Sequence, residues 1–250
     1  MEELVLNEKD FGEEDVKLFS LVDIFEPLTE GEIAKINWRH LSTRVGKGEV
    51  FYTPMDLAET LFVLKSGRVR IFRKTPQGRE LTLTIIESGT VFGEMSLTGQ
   101  RLRSAFAEGM ESSELAALCR ADVERLILDK PQVGLQFVHL LSKRLADYER
   151  RLEDISLKEV PARLASLIYL LIHSQGVRDS DGYRIPTRYT HQQFGSMIGS
   201  NREAVTRAIA VLREAGVLQT KRRYVHVKDL QTLEEACQDG FYRDDSQQEA

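Results

Sequence analysis

A glycine, a glutamate, an arginine and a serine lie close together in the middle of the chain, in the segments Gly93–Leu97 and Arg103–Ala105. Arginine presents a fork of donors that fits phosphate oxygens, and glycine lets the backbone approach a ligand closely. A glutamate can accept a hydrogen bond from a sugar hydroxyl. These residue types therefore suit a small anionic ligand that bears hydroxyls. The alternative is a surface ion pair between Glu94 and Arg103, which is the commoner use of such residues.

Polar residues also begin two short predicted helices, about His191–Ile198 and Asn201–Ala215. Thr190–Gln193 and Ser200–Glu203 have the spacing of capping boxes, and Gly199 supplies the turn between them. This pattern predicts a helix-turn-helix rather than an ordinary helical hairpin, because polar residues begin the second helix, where a recognition helix meets DNA bases. The candidate DNA-contacting residues are Thr190, Gln192, Ser200, Asn201, Arg202, Glu203, Thr206 and Arg207.

The stretch Val217–Val227 predicts a β-hairpin, or wing, with Lys221, Arg222 and Arg223 at its tip. Its cations can follow phosphates, and we expect Lys221 and Arg222 to do so. The chain has a net charge of -5, yet residues 184–225 hold eight Lys/Arg and two Asp/Glu. A basic island on an acidic chain indicates a local contact with an anionic partner, or else a solvated face.

Short β-prone runs fill the N-terminal half and are separated by turn signals such as Thr75–Gly78. Many short strands with regular turns predict a barrel or jelly roll. Residues 1–20 are predicted to form a loosely held arm and 21–41 to form short helices, with a capping box at Thr29 and Glu32. The predicted strands are Val50–Tyr52, Thr60–Leu64, Arg68–Phe72, Leu81–Ile86 and Leu115–Leu118.

A long helix is predicted from Pro131 to about Leu157, followed by a break at Glu159–Pro161. An apolar stripe on a charged helix indicates either a dimeric coiled-coil seam or an ordinary helix lying on its own domain. The β-rich half before it and the basic helical half after it favour the dimer. The stripe residues are Phe137, Leu141, Leu145, Tyr148, Leu152 and Ile155.

Composition excludes several classes of protein. Two distant cysteines, Cys119 and Cys237, predict neither a disulfide framework nor a metal cluster, and the five histidines show no metal-binding spacing. No nucleophile–base pattern or NTPase phosphate loop is present, so neither catalytic residues nor a metal site are expected. No apolar run reaches the roughly 20 residues that span a bilayer, and the acidic start is unlike a signal peptide. A cytoplasmic location without membrane contact is expected.

The order of strand, Phe92–Leu97, short loop, Arg103–Ala105 and strand resembles the phosphate-binding cassette of cyclic-nucleotide-binding domains. Over residues 20–227 the chain resembles the cyclic-AMP receptor protein/FNR family of bacterial transcription regulators. The resemblance implies that Glu94 holds the ribose 2′-hydroxyl. Arg103 and Ser104 would hold the cyclic phosphate, with backbone help from Gly93 and Met95.

One region departs from the cyclic-AMP pattern of that family. Where its cyclic-AMP sensors offer Thr-Ser to the adenine, this chain has Tyr148 and Glu149. Glu149 can accept from an exocyclic amine or a guanine edge, or point to solvent. In the other half, Arg202, Glu203 and Arg207 match the family's base-reading positions, which implies TGTGA-like half-sites in a palindrome.

We therefore expect an α+β fold, with an N-terminal β-roll like the cyclic-nucleotide-binding jelly roll, a long dimerisation helix and a C-terminal winged helix-turn-helix. The expected protein is a homodimeric transcription regulator that binds double-stranded DNA and needs no cofactor. A small-molecule effector is expected to control it, with cyclic AMP favoured. RNA polymerase is an expected partner. The alternatives are a regulator of the same build that needs no ligand or senses 2-oxoglutarate, an enzyme subunit, and a DNA-bending protein. The expected divisions are 1–20 (arm), 21–130 (β-roll), 131–158 (dimerisation helix), 159–227 (winged helix-turn-helix) and 228–250 (acidic tail).

Overall fold

The computed structural model describes residues 13–36 and 38–238, without the side chains of residues 13–15 and 38–42. The chain forms two compact units that divide between Leu145 and Ala146. The first unit contains α1 (Glu13–Ser20), a 3₁₀ turn (Asp23–Phe25), α2 (Glu30–Ile33), β1 (Trp38–Val45), β2 (Val50–Tyr52), β3 (Thr60–Ser66), β4 (Arg68–Lys74), β5 (Glu80–Glu87), β6 (Val91–Phe92), a second 3₁₀ turn (Glu94–Thr98), β7 (Phe106–Gly109), β8 (Ser113–Cys119), α3 (Arg120–Asp129) and the start of α4 (Pro131–Leu157).

The strands of the first unit form two antiparallel sheets, in the orders β1-β8-β3-β6 and β2-β7-β4-β5. Strand β3 shows how they share a core, because side chains of a strand alternate between its two faces. Phe62 and Leu64 join Val69 and Phe92 in the core between the sheets. Leu61 and its neighbours on that face join a second core with the helices. The architecture confirms the predicted β-roll.

Helices cover the outer face of the first sheet. Phe19 of α1, Phe25, Ile33, and Val133 and Phe137 of α4 are buried together there. The prediction of a loosely held arm is therefore wrong for residues 13–20, because Phe19 anchors α1 in this core. The rest of the predicted arm lies outside the described residues. The capping box at Thr29 and Glu32 is confirmed.

Some strands of the roll were not predicted from the sequence. Short helices were expected as far as residue 41, yet Trp38–Val45 is a strand that pairs with β8. The short strand β6 was also missed, whereas β7 is the strand that the cassette resemblance implies after Ala105; both pair with strands distant in sequence. The five predicted strands are all present.

The second unit completes α4 and continues through α5 (Val160–Gln175), β9 (Val177–Asp179), β10 (Gly182–Arg184), α6 (His191–Ile198), α7 (Arg202–Glu214), β11 (Gln219–Lys221), β12 (Tyr224–Val227) and α8 (Leu230–Glu235). Its strands form one sheet in the order β11-β12-β10-β9. Leu164 and Ile168 of α5, Phe194 of α6 and Leu212 of α7 are buried in one core.

Helix α8 lies within the acidic tail expected at residues 228–250, for which no secondary structure was predicted. Asp229 caps its N-terminus, accepting from the backbone N–H groups of Gln231 and Thr232. Leu233 and Ala236 are fully buried in the core of the second unit. The tail is therefore part of the fold as far as residue 238, and residues 239–250 lie outside the described residues.

The predicted apolar stripe on α4 starts one residue later than expected. Phe137 is only 5% exposed and belongs to the core of the first unit. Val138, in contrast, is exposed and precedes Leu141 by three residues. The resulting stripe alternates steps of three and four, as a coiled-coil seam does. It consists of Val138, Leu141, Leu145, Tyr148, Leu152 and Ile155, which are 41–67% exposed.

None of the helices in the described residues combines the length and the apolar character needed to cross a membrane.

Candidate effector pocket and nucleic-acid interface

Gly93 shapes the cassette loop between β6 and the second 3₁₀ turn. Its φ of +85° lies in the left-handed region, which glycine adopts without steric cost. A Cβ atom at this position would lie 2.8 Å from Arg103 Nη1 and 3.1 Å from the carbonyl oxygen of Thr60. The glycine therefore allows the arginine to approach the loop backbone, as the sequence analysis expected of a ligand-binding loop.

Arg103 lies inside the roll with only 7% of its surface exposed. Its guanidinium donates to the carbonyl oxygens of Gly93 (3.3 Å) and Thr60. It also lies over the rings of Tyr52 and Phe62, at 4.7 and 5.4 Å from their centroids. Burial lowers the pKa of the guanidinium, although Tyr52, Glu94 and Asp56 oppose the shift. An arginine nevertheless stays charged, so the roll holds a buried cation.

The backbone on both sides of Arg103 is fixed by the loop that joins β2 to β3. The Arg103 N–H donates to the Asp56 carbonyl at 2.8 Å, and the Met55 N–H donates to the Arg103 carbonyl at 3.1 Å. Leu57 and Leu102 form an isolated β-bridge beside them. The neighbouring Ser104 is exposed. The loop thus holds Arg103 in place without help from a ligand.

Glu94 and Arg144 form an ion pair between the cassette and α4. The second amino group of Arg144 donates to the Val91 carbonyl at 2.6 Å, so one guanidinium contacts both ends of the loop. Glu94 was expected from sequence to hold a ribose hydroxyl, whereas Arg144 had no predicted role in the site. In the structure, the carboxylate predicted to bind ligand already has a cationic partner.

The structure therefore brings Gly93, Glu94 and Arg103 together, and it adds Tyr52, Phe62, Thr60 and Arg144 to them. Met95 follows Glu94 in the 3₁₀ turn and is partly exposed. The surface ion pair between Glu94 and Arg103 is absent from the described contacts, since Arg103 has no carboxylate partner there. The geometry suits an anion that bears hydroxyls.

The helix-turn-helix is set by local hydrogen bonds. Thr190 forms the predicted capping box with Gln193 at the start of α6. Gly199 ends α6 with a φ of +65°. The second predicted capping box is wrong: Asn201, not Ser200, caps α7, and its Oδ1 accepts from the Ala204 N–H at 2.8 Å. The Ser200 N–H is still engaged by the end of α6, donating to Gly195, so the cap moves on by one residue.

Helix α7 presents one apolar face and one polar face. Val205, Ala208 and Leu212 are buried. The opposite side is exposed and holds Arg202, Glu203, Thr206 and Arg207. A helix that enters the major groove needs this division, because base edges are read by the side chains of its outer face.

Thr206 also joins the two helices of the motif. Its hydroxyl donates to the Arg202 carbonyl at 2.9 Å and lies 2.8 Å from Nδ1 of His191 on α6. Since the single hydroxyl proton goes to the carbonyl, His191 Nδ1 is the donor to Thr206. Another contact fixes α6 to α5, because Arg163 donates to the carbonyl of Ile198 at 3.2 Å. Neither role, of His191 or of Arg163, was predicted from the sequence.

The wing is present as predicted, with Lys221 paired to Tyr224 and a two-residue turn between them. Both turn residues, Arg222 and Arg223, have positive φ, of +50° and +68°. Such backbone costs roughly 1–2 kcal/mol for a residue with a side chain, so this turn normally takes Asn-Gly. Lys221 bonds to Asp181 in the β9–β10 turn at 2.7 Å.

Comparison with known proteins identifies a domain family in each half of the chain. Residues 42–130 match the family model of the cyclic nucleotide-binding domain, and residues 162–236 match the Crp-like helix-turn-helix domain. A protein named cyclic AMP receptor protein from Thermus thermophilus is 34% identical over 76% of this chain and 84% of its own length. The chain belongs to the cyclic-AMP receptor protein/FNR family.

Further proteins similar to this chain are transcription regulators of the same family. The global nitrogen regulator of Synechocystis is 31% identical over 72% of this chain and 81% of its own length. Among solved structures, a CRP-family transcriptional regulator from Thermus thermophilus superimposes with a TM-score of 0.65 at 27% identity, covering 78% of this chain and 95% of that one. The chain is thus a transcription regulator of this family and not an enzyme.

Family membership leaves the individual site residues as predictions. Tyr148 and Glu149 belong to the second unit, and both are exposed on α4. Tyr148 also lies on the exposed stripe of α4, so it occupies a position of the predicted dimer seam as well as having a predicted role in ligand binding. Thr190 and Gln192 begin α6, where we expect phosphate contacts. No group of three or more metal-binding side chains occurs among residues 13–36 and 38–238.

Proposed function

We propose that this regulator is a homodimer whose β-roll binds a cyclic nucleotide, with cyclic AMP favoured, and whose winged helix-turn-helix binds a palindromic TGTGA-like DNA site. The observation that carries the effector assignment is the buried Arg103. A cation in a desolvated site is costly unless charge or hydrogen bonds compensate it. In the described part of the chain, Arg103 has two carbonyls and two aromatic faces but no ion pair.

The donors of Arg103 support an anionic effector. A guanidinium has five N–H groups, and the carbonyls of Gly93 and Thr60 accept from two of its nitrogens. A cyclic phosphate would accept from the remaining donors and supply the missing negative charge. The relative named cyclic AMP receptor protein supports a cyclic nucleotide as this anion.

A second candidate has the same build but a different effector, such as 2-oxoglutarate, or none. The observation that favours it is the pair Tyr148 and Glu149, which replaces the Thr-Ser of the family's cyclic-AMP sensors. The similarity to a global nitrogen regulator supports it too. The first candidate predicts a cyclic nucleotide at Arg103, whereas the second predicts another anion there or a roll that works unliganded, so direct binding measurements separate them.

Isothermal titration calorimetry with cyclic AMP, cyclic GMP and 2-oxoglutarate tests the effector. Arg103→Leu should reduce the affinity for the true effector at least about tenfold, since a charge-assisted bond is worth roughly 1.5–3 kcal/mol. Arg101→Leu is the matched control, because Arg101 is exposed two residues earlier. Absence of cyclic-nucleotide binding at millimolar concentration would reject the nucleotide, and a DNA affinity independent of all three ligands would favour the ligand-independent regulator.

The dimer assignment rests on the stripe from Val138 to Ile155. These six side chains are exposed in the single chain although they are apolar, and their spacing fits the seam of two parallel helices. A parallel pair would present two copies of α7 to one face of DNA. Each copy would then meet a half-site about 10–10.5 bp from the other.

Effector control would act through α4. The helix carries Arg144, the partner of Glu94, and continues into the proposed seam. A nucleotide that uses Glu94 for its ribose must share or replace that ion pair, so bound and free cassettes would hold α4 differently. The effector would thereby shift the population towards one arrangement of the dimer. RNA polymerase stays the expected protein partner.

A binding selection on randomised duplexes, with and without effector, tests the DNA assignment. We expect a two-fold symmetric site with two TGTGA-like halves. Recovery of no preferred sequence, or of a single asymmetric site, would contradict a dimer that reads a palindrome.

A further inference from the structure

The tip of the wing is built from two residues that are poorly suited to its backbone. Arg222 and Arg223 occupy the central positions of a two-residue hairpin turn, and both have positive φ. Glycine and asparagine tolerate this geometry far better than arginine does. Two adjacent, exposed arginines in a strained turn point to a function for the guanidinium groups themselves, because strain of this kind concentrates at functional sites.

The hairpin below the tip is firmly anchored in the second unit. Strand β12 pairs with β10, and the ring of Tyr224 lies beneath two further guanidinium groups, Arg184 at 4.9 Å and Arg188 at 4.6 Å. At the other end, Val217 and Leu218 are buried, and both amides donate to the Leu212 carbonyl of α7. The tip is therefore held at a fixed position relative to the recognition helix.

Lys221 and the tip arginines differ in their surroundings. The Lys221 ammonium is bonded to Asp181, which partly neutralises it. Arg222 and Arg223 are exposed, and neither forms an ion pair within residues 13–36 and 38–238. The positive charge at the end of the wing is thus concentrated in two guanidinium groups.

We propose that the wing tip enters the DNA minor groove beside each half-site, where Arg222 and Arg223 select narrow, A·T-rich flanks. The proposal rests on the DNA-binding function proposed above, and it gives Arg222 a groove contact in place of the phosphate contact expected from sequence. A narrow minor groove has an enhanced negative potential that attracts arginine. Arginine suits it better than lysine because a guanidinium is less strongly hydrated.

The test compares duplexes that share one palindromic core and differ only in the flanks. Wild type should prefer A·T flanks over G·C flanks by about fivefold or more, which corresponds to roughly 1 kcal/mol. Inosine–cytosine flanks decide between the grooves, because inosine lacks the minor-groove amino group that distinguishes G·C but keeps the major-groove acceptors of guanine. Duplexes with I·C flanks should therefore bind like those with A·T flanks.

Three variants assign the preference to the tip. The double variant Arg222→Asn/Arg223→Gly suits the turn and should fold, yet lose the flank preference. Arg222→Lys/Arg223→Lys keeps the charge and should retain most affinity while losing much of the preference. Arg178→Gln/Arg213→Gln is the charge-matched control, since it removes two exposed arginines of the same unit, and it should keep the preference.

The outcomes separate this inference from the proposed function. Discrimination of the core without discrimination of the flanks would overturn the wing proposal and leave the DNA-binding function intact. Failure to prefer the intact core over a scrambled core would overturn the proposed function itself. I·C flanks that bind like G·C flanks would exclude a minor-groove contact. A flank preference that survives in the Asn-Gly or the dilysine variant would overturn the assignment to the arginines.

Discussion

Glu94 and Arg144 lie 50 residues apart in the sequence, and their side chains form an ion pair in which they are only 12% and 14% exposed. The pair joins the cassette loop to the helix that continues into the proposed dimer seam. Because Arg144 also holds the Val91 carbonyl, the loop is fixed to α4 at two points. A ligand that binds Glu94 must therefore act on α4 as well.

Arg144→Leu should destabilise the first unit by roughly 2–4 kcal/mol, because it leaves a largely buried carboxylate without its cation. Chemical denaturation monitored by circular dichroism measures this loss. Arg150→Leu, on the same helix, is the control: its ion pair with Asp147 is long at 3.8 Å and half-exposed, so it should cost less than about 1 kcal/mol. Equal losses of stability in the two variants would show that the ion pair with Glu94 stabilises the protein no more than an exposed ion pair does.

Leu145→Asp and Leu152→Asp should each convert the proposed dimer to monomer. Burying a carboxylate in an apolar seam costs several kcal/mol, whereas both positions are exposed in the single chain, so each monomer should still fold. Sedimentation velocity gives the oligomeric state. Leu128→Asp, an exposed leucine at the end of α3 outside the stripe, should leave the dimer intact. Intact dimers in both test variants would remove α4 as the interface.

Arg202→Ala should cost roughly 1–3 kcal/mol at its own base pair and relax the choice of base there, because the bidentate contact to guanine proposed for Arg202 would be lost. Arg202, Glu203 and Arg207 all lie on the exposed face of α7. A selection on randomised duplexes with each alanine variant tests the three positions. If the Arg202→Ala variant kept the wild-type base preferences, base recognition would have to be assigned to other residues of the helix.

Asp181→Asn should strengthen DNA binding about two- to fivefold, since it releases Lys221 from a weak, exposed ion pair. The released lysine should also steepen the salt dependence by about one unit. Hydrogen bonding to Lys221 lowers the pKa of Asp181 from its ordinary value of 3.8, so the carboxylate is ionised from that pH up through neutrality, and substitution rather than a change of pH is the way to remove its charge there.

Asp129→Asn is the control for the Asp181 variant, because it removes the same charge from an exposed site in the first unit. Its DNA affinity should stay close to that of wild type. A loss of affinity in Asp181→Asn would mean that Asp181 positions Lys221 on the DNA rather than competing with it.

Features that depend on neighbouring residues were predictable from the sequence. The capping boxes at Thr29 and Thr190, the αL glycine at Gly199 and the extent of α4 were all predicted, because they rest on hydrogen bonds and side-chain periods within a few residues. The five strands with strong β-propensity were predicted for the same reason. The order of these elements, with the cassette motif, was sufficient to indicate the family.

Tertiary structure decided what depends on distant contacts. Trp38–Val45 is a strand because β8 pairs with it, and Asn201 rather than Ser200 caps α7 because the end of α6 still holds the Ser200 amide. Whether Phe137 or Val138 starts the exposed stripe depends on which side of α4 the first unit covers. The partner of Glu94 could not be read from sequence spacing, because Arg144 reaches it only after the roll has closed. Local sequence determined the helix caps, the turns and the side-chain periods, while the pairing of β1 and the partner of a buried charge are decided by the packing of segments that are far apart in the chain.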